Sequence, residues 1–99
     1  MERKVAEKIV ESFFNDMNPD FWNGKGKCPN TFDTRQWQYP LNDEVSLEIT
    51  LGYDEVDGWK HFCDLVYSSN DESFDMLSGY GIDSPLNLID TILDLCKNY

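Results

Sequence analysis

From Glu44 to Tyr53 polar and apolar residues alternate without a break. Val45, Leu47, Ile49, Leu51 and Tyr53 fall on one side, and Glu44, Ser46, Glu48, Thr50 and Gly52 on the other. A period of two predicts a strand with one face on a core and one in water. Residues 59–67 fit two periods, Trp59, Phe62, Cys63 and Val66 at helical spacing, or Trp59, His61, Cys63, Leu65 and Tyr67 at strand spacing. Their aromatic and β-branched content favours the strand, as do the close turn signals Asp54-Glu55-Val56-Asp57-Gly58 and Ser68-Ser69-Asn70-Asp71. Phe74, Met76, Tyr80 and Ile82, with Ser78 as the small member, predict a third long strand with those residues inside. Arg35–Tyr39 reads as a short edge strand ended by Pro40.

Two stretches carry the helical period. Val5, Ala6, Ile9, Val10, Phe13, Phe14 and Met17 predict an amphipathic helix over residues 3–17, stopped by Asn18-Pro19. Ser84-Pro85 supplies a hydroxyl N-cap and a proline at the first helical position. From there Leu86, Leu88, Ile89, Ile92, Leu93, Leu95, Cys96 and Tyr99 form an apolar face, with Asn87, Asp90, Thr91, Asp94 and Asn98 opposite.

The order predicts one α+β domain over residues 1–99. It is an antiparallel meander of three to four strands, with an N-terminal and a C-terminal helix packed on one face (α-β-β-β-α). The other face is left uncovered.

Pairing Tyr53 with Trp59 across the first turn places Leu51/His61, Ile49/Cys63 and Leu47/Leu65 inside. Gly52/Lys60, Thr50/Phe62, Glu48/Asp64 and Ser46/Val66 then lie outside. Pairing Tyr67 with Glu72 across the second turn puts Leu65/Phe74 and Cys63/Met76 inside, with Phe62/Leu77 and Asp64/Asp75 outside. On that register Glu48, Asp64 and Asp75 stand in a row, about 4.8 Å apart, with Phe62 and Leu77 beside them, also facing out.

Charge sharpens this picture. The 99 residues carry a formal charge of −11. Residues 1–35 balance six acids against six bases, so the whole excess lies beyond them, where thirteen acids face Lys60 and Lys97 alone. Such a field repels nucleic acid phosphates and anionic membranes and attracts basic surfaces. No stretch approaches a membrane span, and Met1-Glu2-Arg3-Lys4 opens a polar helix rather than a signal-type apolar run.

Candidate chemistry is sparse. Gly24-Lys25-Gly26-Lys27 lacks the upstream glycine and the Ser/Thr of a phosphate loop. Placing Gly58 at the sixth position of a calcium loop puts Tyr53 where an acid is required. Cys28, Cys63 and Cys96 form no C-x-x-C pair, and one histidine completes no zinc set. Free thiols point to a reducing, cytoplasmic setting. His61 and Cys63 share the inward strand face without an orienting acid, so a core role outweighs a nucleophile–base pair. No cofactor, metal or catalytic residue is assigned.

The reading that follows is a non-enzymatic acidic binding protein, monomer or homodimer, acting on a basic partner such as a nuclease or another nucleic-acid-binding protein. It contacts neither nucleic acid nor membrane directly. Its contact residues are Glu48, Asp64, Asp75, Asp54, Glu55, Asp57, Asp71, Glu72 and Phe62. In size and charge alone the chain resembles phage inhibitors of restriction or CRISPR nucleases, and immunity proteins or antitoxins against basic toxins. The competing expectation is a small-ligand or peptide module that uses Trp22, Trp37, Tyr39 and Trp59, with the 18–34 loop closing a pocket against the sheet.

Overall fold

A computed structural model describes residues 1–16, 37–54, 58–81 and 86–99. Helix α1 (Arg3–Asp16) precedes strands β1 (Trp37–Pro40), β2 (Val45–Asp54), β3 (Gly58–Tyr67) and β4 (Ser73–Gly81), and helix α2 (Leu86–Leu95) follows. The strands form one open antiparallel sheet in the order β1-β2-β3-β4. The ambiguous stretch 59–67 is therefore extended, and the short edge strand exists. Met17, the 18–34 segment, Arg35, Ile82, Ser84 and Pro85 lie outside the described residues.

Both helices cover one sheet face. Ala6, Ile9, Val10 and Phe13 of α1 recur at i, i+3, i+4 and i+7 and are buried. They join Val45, Leu47, Ile49, Cys63 and Leu65 of the sheet and Leu88, Ile89, Ile92, Leu95 and Cys96 of the C-terminal segment in one core. Each such aliphatic chain, fully buried, contributes about 1.5–3 kcal/mol. Trp37 closes the core edge: its ring meets Phe13 edge-on at 5.4 Å, and its indole N–H donates to the Asp16 carboxylate at 2.7 Å.

The β2–β3 register matches the sequence expectation at every position, from Val45↔Tyr67 to Asp54↔Gly58. The β3–β4 register does not. Leu65 faces Asp75, Asp64 faces Met76, Cys63 faces Leu77, Phe62 faces Ser78 and His61 faces Gly79, while Val66 faces Ser73. The irregularity between Leu65 and Val66 leaves Phe74 as the extra residue of a bulge. Its ring packs on Tyr67 at 4.5 Å instead of entering the core. A one-residue slip exchanges the faces of a strand, so Met76 stands on the outer side and Leu77 on the helix side.

Gly79 supplies a reason for the slip. A Cβ there would lie 2.5 Å from the Nε2 of His61 and 3.3 Å from the Thr91 hydroxyl. The register expected from sequence puts Ser78, which has a Cβ, opposite His61. The observed one puts the residue without a side chain under the imidazole.

The phase of the hydrogen-bond ladder follows from three bonds. Ser68 N–H donates to the Glu44 carbonyl (2.9 Å), Leu41 N–H to that of Val45 (2.9 Å), and Tyr67 N–H to that of Glu72 (3.0 Å). Along an antiparallel strand the peptide groups of successive residues point alternately to either neighbour. Even-numbered residues of β2 and β3 thus bond each other, and odd-numbered residues of β3 bond β4.

Candidate acidic interface

The register assembles a row across the outer face, Gln38–Glu48–Asp64–Met76, with Thr50–Phe62–Ser78 beside it. Glu48 and Asp64 are directly opposite, as the alternation predicted. Like charges so placed cost a few tenths to about 1 kcal/mol. The Gln38 amide partly offsets this by donating to Glu48 at 3.1 Å and to Asp71 at 3.0 Å. Three carboxylates are thereby gathered, two on strands and one on the β3–β4 turn.

That turn lies over one end of the outer face. Besides the Asp71–Gln38 bond, the Ser68 and Ser46 hydroxyls bond at 2.8 Å. Ser46 and Val66 occupy outer positions, yet they are 5% and 1% exposed. Among the described residues the uncovered area therefore begins at the Glu48–Asp64 row. Asp71 sits at φ 58°, a left-handed conformation that aspartate tolerates better than most residues. Its N–H donates to the Tyr67 carbonyl at 2.8 Å, which closes the turn. Asn70 adds a local bond, accepting from the Glu72 N–H at 2.9 Å.

The remaining expected contact residues divide. Phe62 is on the outer face and 36% exposed, but beside Ser78 rather than Leu77. Asp75 is not part of the acidic row. It stands opposite Leu65 on the helix side, where its carboxylate accepts the Met76 N–H at 2.9 Å. Glu72 is exposed in the turn. Asp54 ends β2 opposite Gly58, and Glu55 and Asp57 lie outside the described residues. Sequence reasoning missed Met76, which is 56% exposed beside Asp64, and Gln38, the bridging amide. Gln38 was legible as the outward member of β1 once that strand was placed.

His61 and Cys63 are both inside. The imidazole Nε2 and the Thr91 hydroxyl are 2.7 Å apart, so a residue expected on the polar side of α2 instead reaches into the core. Burial lowers the His61 pKa from its ordinary 6.5. Burial pushes the Cys63 thiol up, with smaller contributions from the Cys96 thiol and the Asp64 carboxylate. Cys96 is raised to about 11, again by burial. His61 is 4% exposed and Cys63 is fully buried. Among the described residues no cluster of three or more His, Cys, Asp or Glu side chains could hold a metal ion. Trp37 and Tyr39, offered above as pocket walls, pair with Ile49 and Leu47 on the helix side.

Among the described residues no helix is long and apolar enough to cross a membrane. No family model matches the chain, and comparison with curated proteins and with solved structures also finds no match.

Proposed function

We propose that this chain is a non-enzymatic acidic binding protein whose outer sheet face engages a basic partner, a nuclease or another nucleic-acid-binding protein, in place of the nucleic acid. One observation carries the reading. Glu48 and Asp64 are opposed on a face that neither described helix covers, Asp71 is drawn to them through Gln38, and Phe62 and Met76 stand exposed alongside. The fold accepts electrostatic repulsion there, and the apolar neighbours offer area that a solvated charge cluster does not need. Carboxylates with apolar flanks suit a cationic, partly apolar protein surface. The two buried free thiols fit a reducing cytoplasm.

The test is competition with duplex DNA for purified nucleases and DNA-binding proteins at rising salt. The chain displaces DNA from its partner, and the complex weakens as salt screens the charges. Glu48→Lys and Asp64→Lys each weaken it about tenfold or more, a change of about 1.4 kcal/mol. Binding untouched by both reversals together, in a variant that remains folded, would overturn the reading.

A further inference from the structure

We propose that the open edge of β4 takes an added strand, an extended segment of the basic partner whose backbone pairs with Met76, Ser78 and Tyr80. The inference rests on the proposed function and adds the form in which the partner arrives.

The ladder phase sets the edge. Asp75, Leu77 and Gly79 bond β3, so the peptide groups of Met76, Ser78 and Tyr80 face away from it. The Asp75 carboxylate on the Met76 N–H independently marks that direction, because an amide engaged in the ladder would not need it. Among the described residues no strand lies beyond β4. A row of outward amides and carbonyls is a template for another chain, which sheet proteins commonly block with short edges, proline or lysine. The opposite edge, β1, is four residues long and contains Pro40. β4 is nine residues long, with neither proline nor a basic residue, and its one blocking group is Asp75.

Side chains show what the edge suits. Phe74, Met76 and Leu77 are all exposed on this strand. A side chain opposite Met76 shares its face and lies about 9.6 Å, two strand spacings, from the strand of Asp64. A lysine or arginine covers that distance, laying its stem over Met76 and its cation beside Asp64. On the helix side apolar residues meet Leu77, and an incoming backbone carbonyl takes the Met76 N–H from the Asp75 carboxylate. Alternating basic and apolar residues meet both faces at once, the mode in which peptides join sheet edges. Self-pairing at this edge is opposed by a charge of −11 on each copy.

The experiment uses the full chain and a synthetic peptide of alternating lysine and valine, read by amide hydrogen exchange. Bound peptide slows exchange at Ser78 and Tyr80 about tenfold or more, leaving Leu77 and Gly79 as they were. Ser78→Pro removes an outward amide but no β3 bond, a placement that edge strands tolerate. It abolishes peptide binding with the thermal midpoint nearly unchanged, and Asp64→Lys weakens binding in parallel. Peptide binding that survives Ser78→Pro but falls with Asp64→Lys overturns the edge and leaves the acidic face standing. The reverse pattern removes the acidic face, and with it the basic partner named here. Absence of binding overturns the inference, as does edge protection in the free protein that grows with concentration, which assigns the edge to a second copy.

Discussion

Gly79 stands directly opposite His61, and a Cβ on it would lie 2.5 Å from the imidazole Nε2. The ring has little room to yield, because it is buried and bonded to Thr91 at 2.7 Å. Gly79→Ala is expected to destabilise the fold by about 1–3 kcal/mol, the usual cost of overpacking. Urea midpoints check this. Adding His61→Ala to Gly79→Ala is expected to recover part of the loss, and purely additive effects would contradict the contact.

The same histidine sets an acid limb. Its folded pKa lies below the ordinary 6.5, so the unfolded chain binds the proton more readily. The neutral ring's contribution to stability is complete above 6.5 and is lost as pH falls from there through the folded value. Denaturation midpoints at pH about 7.5 and about 5.5 are expected to fall less for His61→Asn than for the parent chain. Equal slopes would place the titration elsewhere.

Buried thiols with raised pKa values react slowly. In a Cys28→Ser background, a thiol reagent at neutral pH is expected to label Cys63 and Cys96 only once denaturant opens the core. Rapid labelling of Cys63 in the folded protein would reopen a nucleophilic role for it.

Gln38 separates repulsion from recognition. Gln38→Ala deletes the amide that joins Glu48 to Asp71 and is expected to cost about 0.5–1.5 kcal/mol. Because what remains is carboxylate repulsion at a partly exposed site, added salt is expected to restore part of the loss. A salt-independent deficit would assign the effect to packing.

The fold was largely legible because its signals agree. Alternation through Glu44–Tyr53 and a short turn fix β2 against β3, and the apolar stripes place both helices on one side. The β3–β4 register was not legible by the same logic. Counting from the Tyr67–Glu72 closure overlooks the bulge at Phe74, and apolar alternation favoured Met76 inside where the fit of Gly79 under His61 requires Leu77. That single slip removed Asp75 from the acidic row and put Met76 beside it. Thr91 was misread for a related reason. Periodicity sorts residues by polarity, whereas a buried imidazole needs a hydroxyl on the apolar side.

The register places Gln38, Glu48, Thr50, Phe62, Asp64, Met76 and Ser78 on the side away from the helices, and Trp37, Tyr39, Leu47, Ile49, Cys63, Leu65 and Leu77 toward them. The proposed binding surface and the buried core thus occupy interleaved but separate halves of the same text. Randomising positions 48, 50, 62, 64, 76 and 78 would let selection search for new targets while the scaffold's interior stays unchanged.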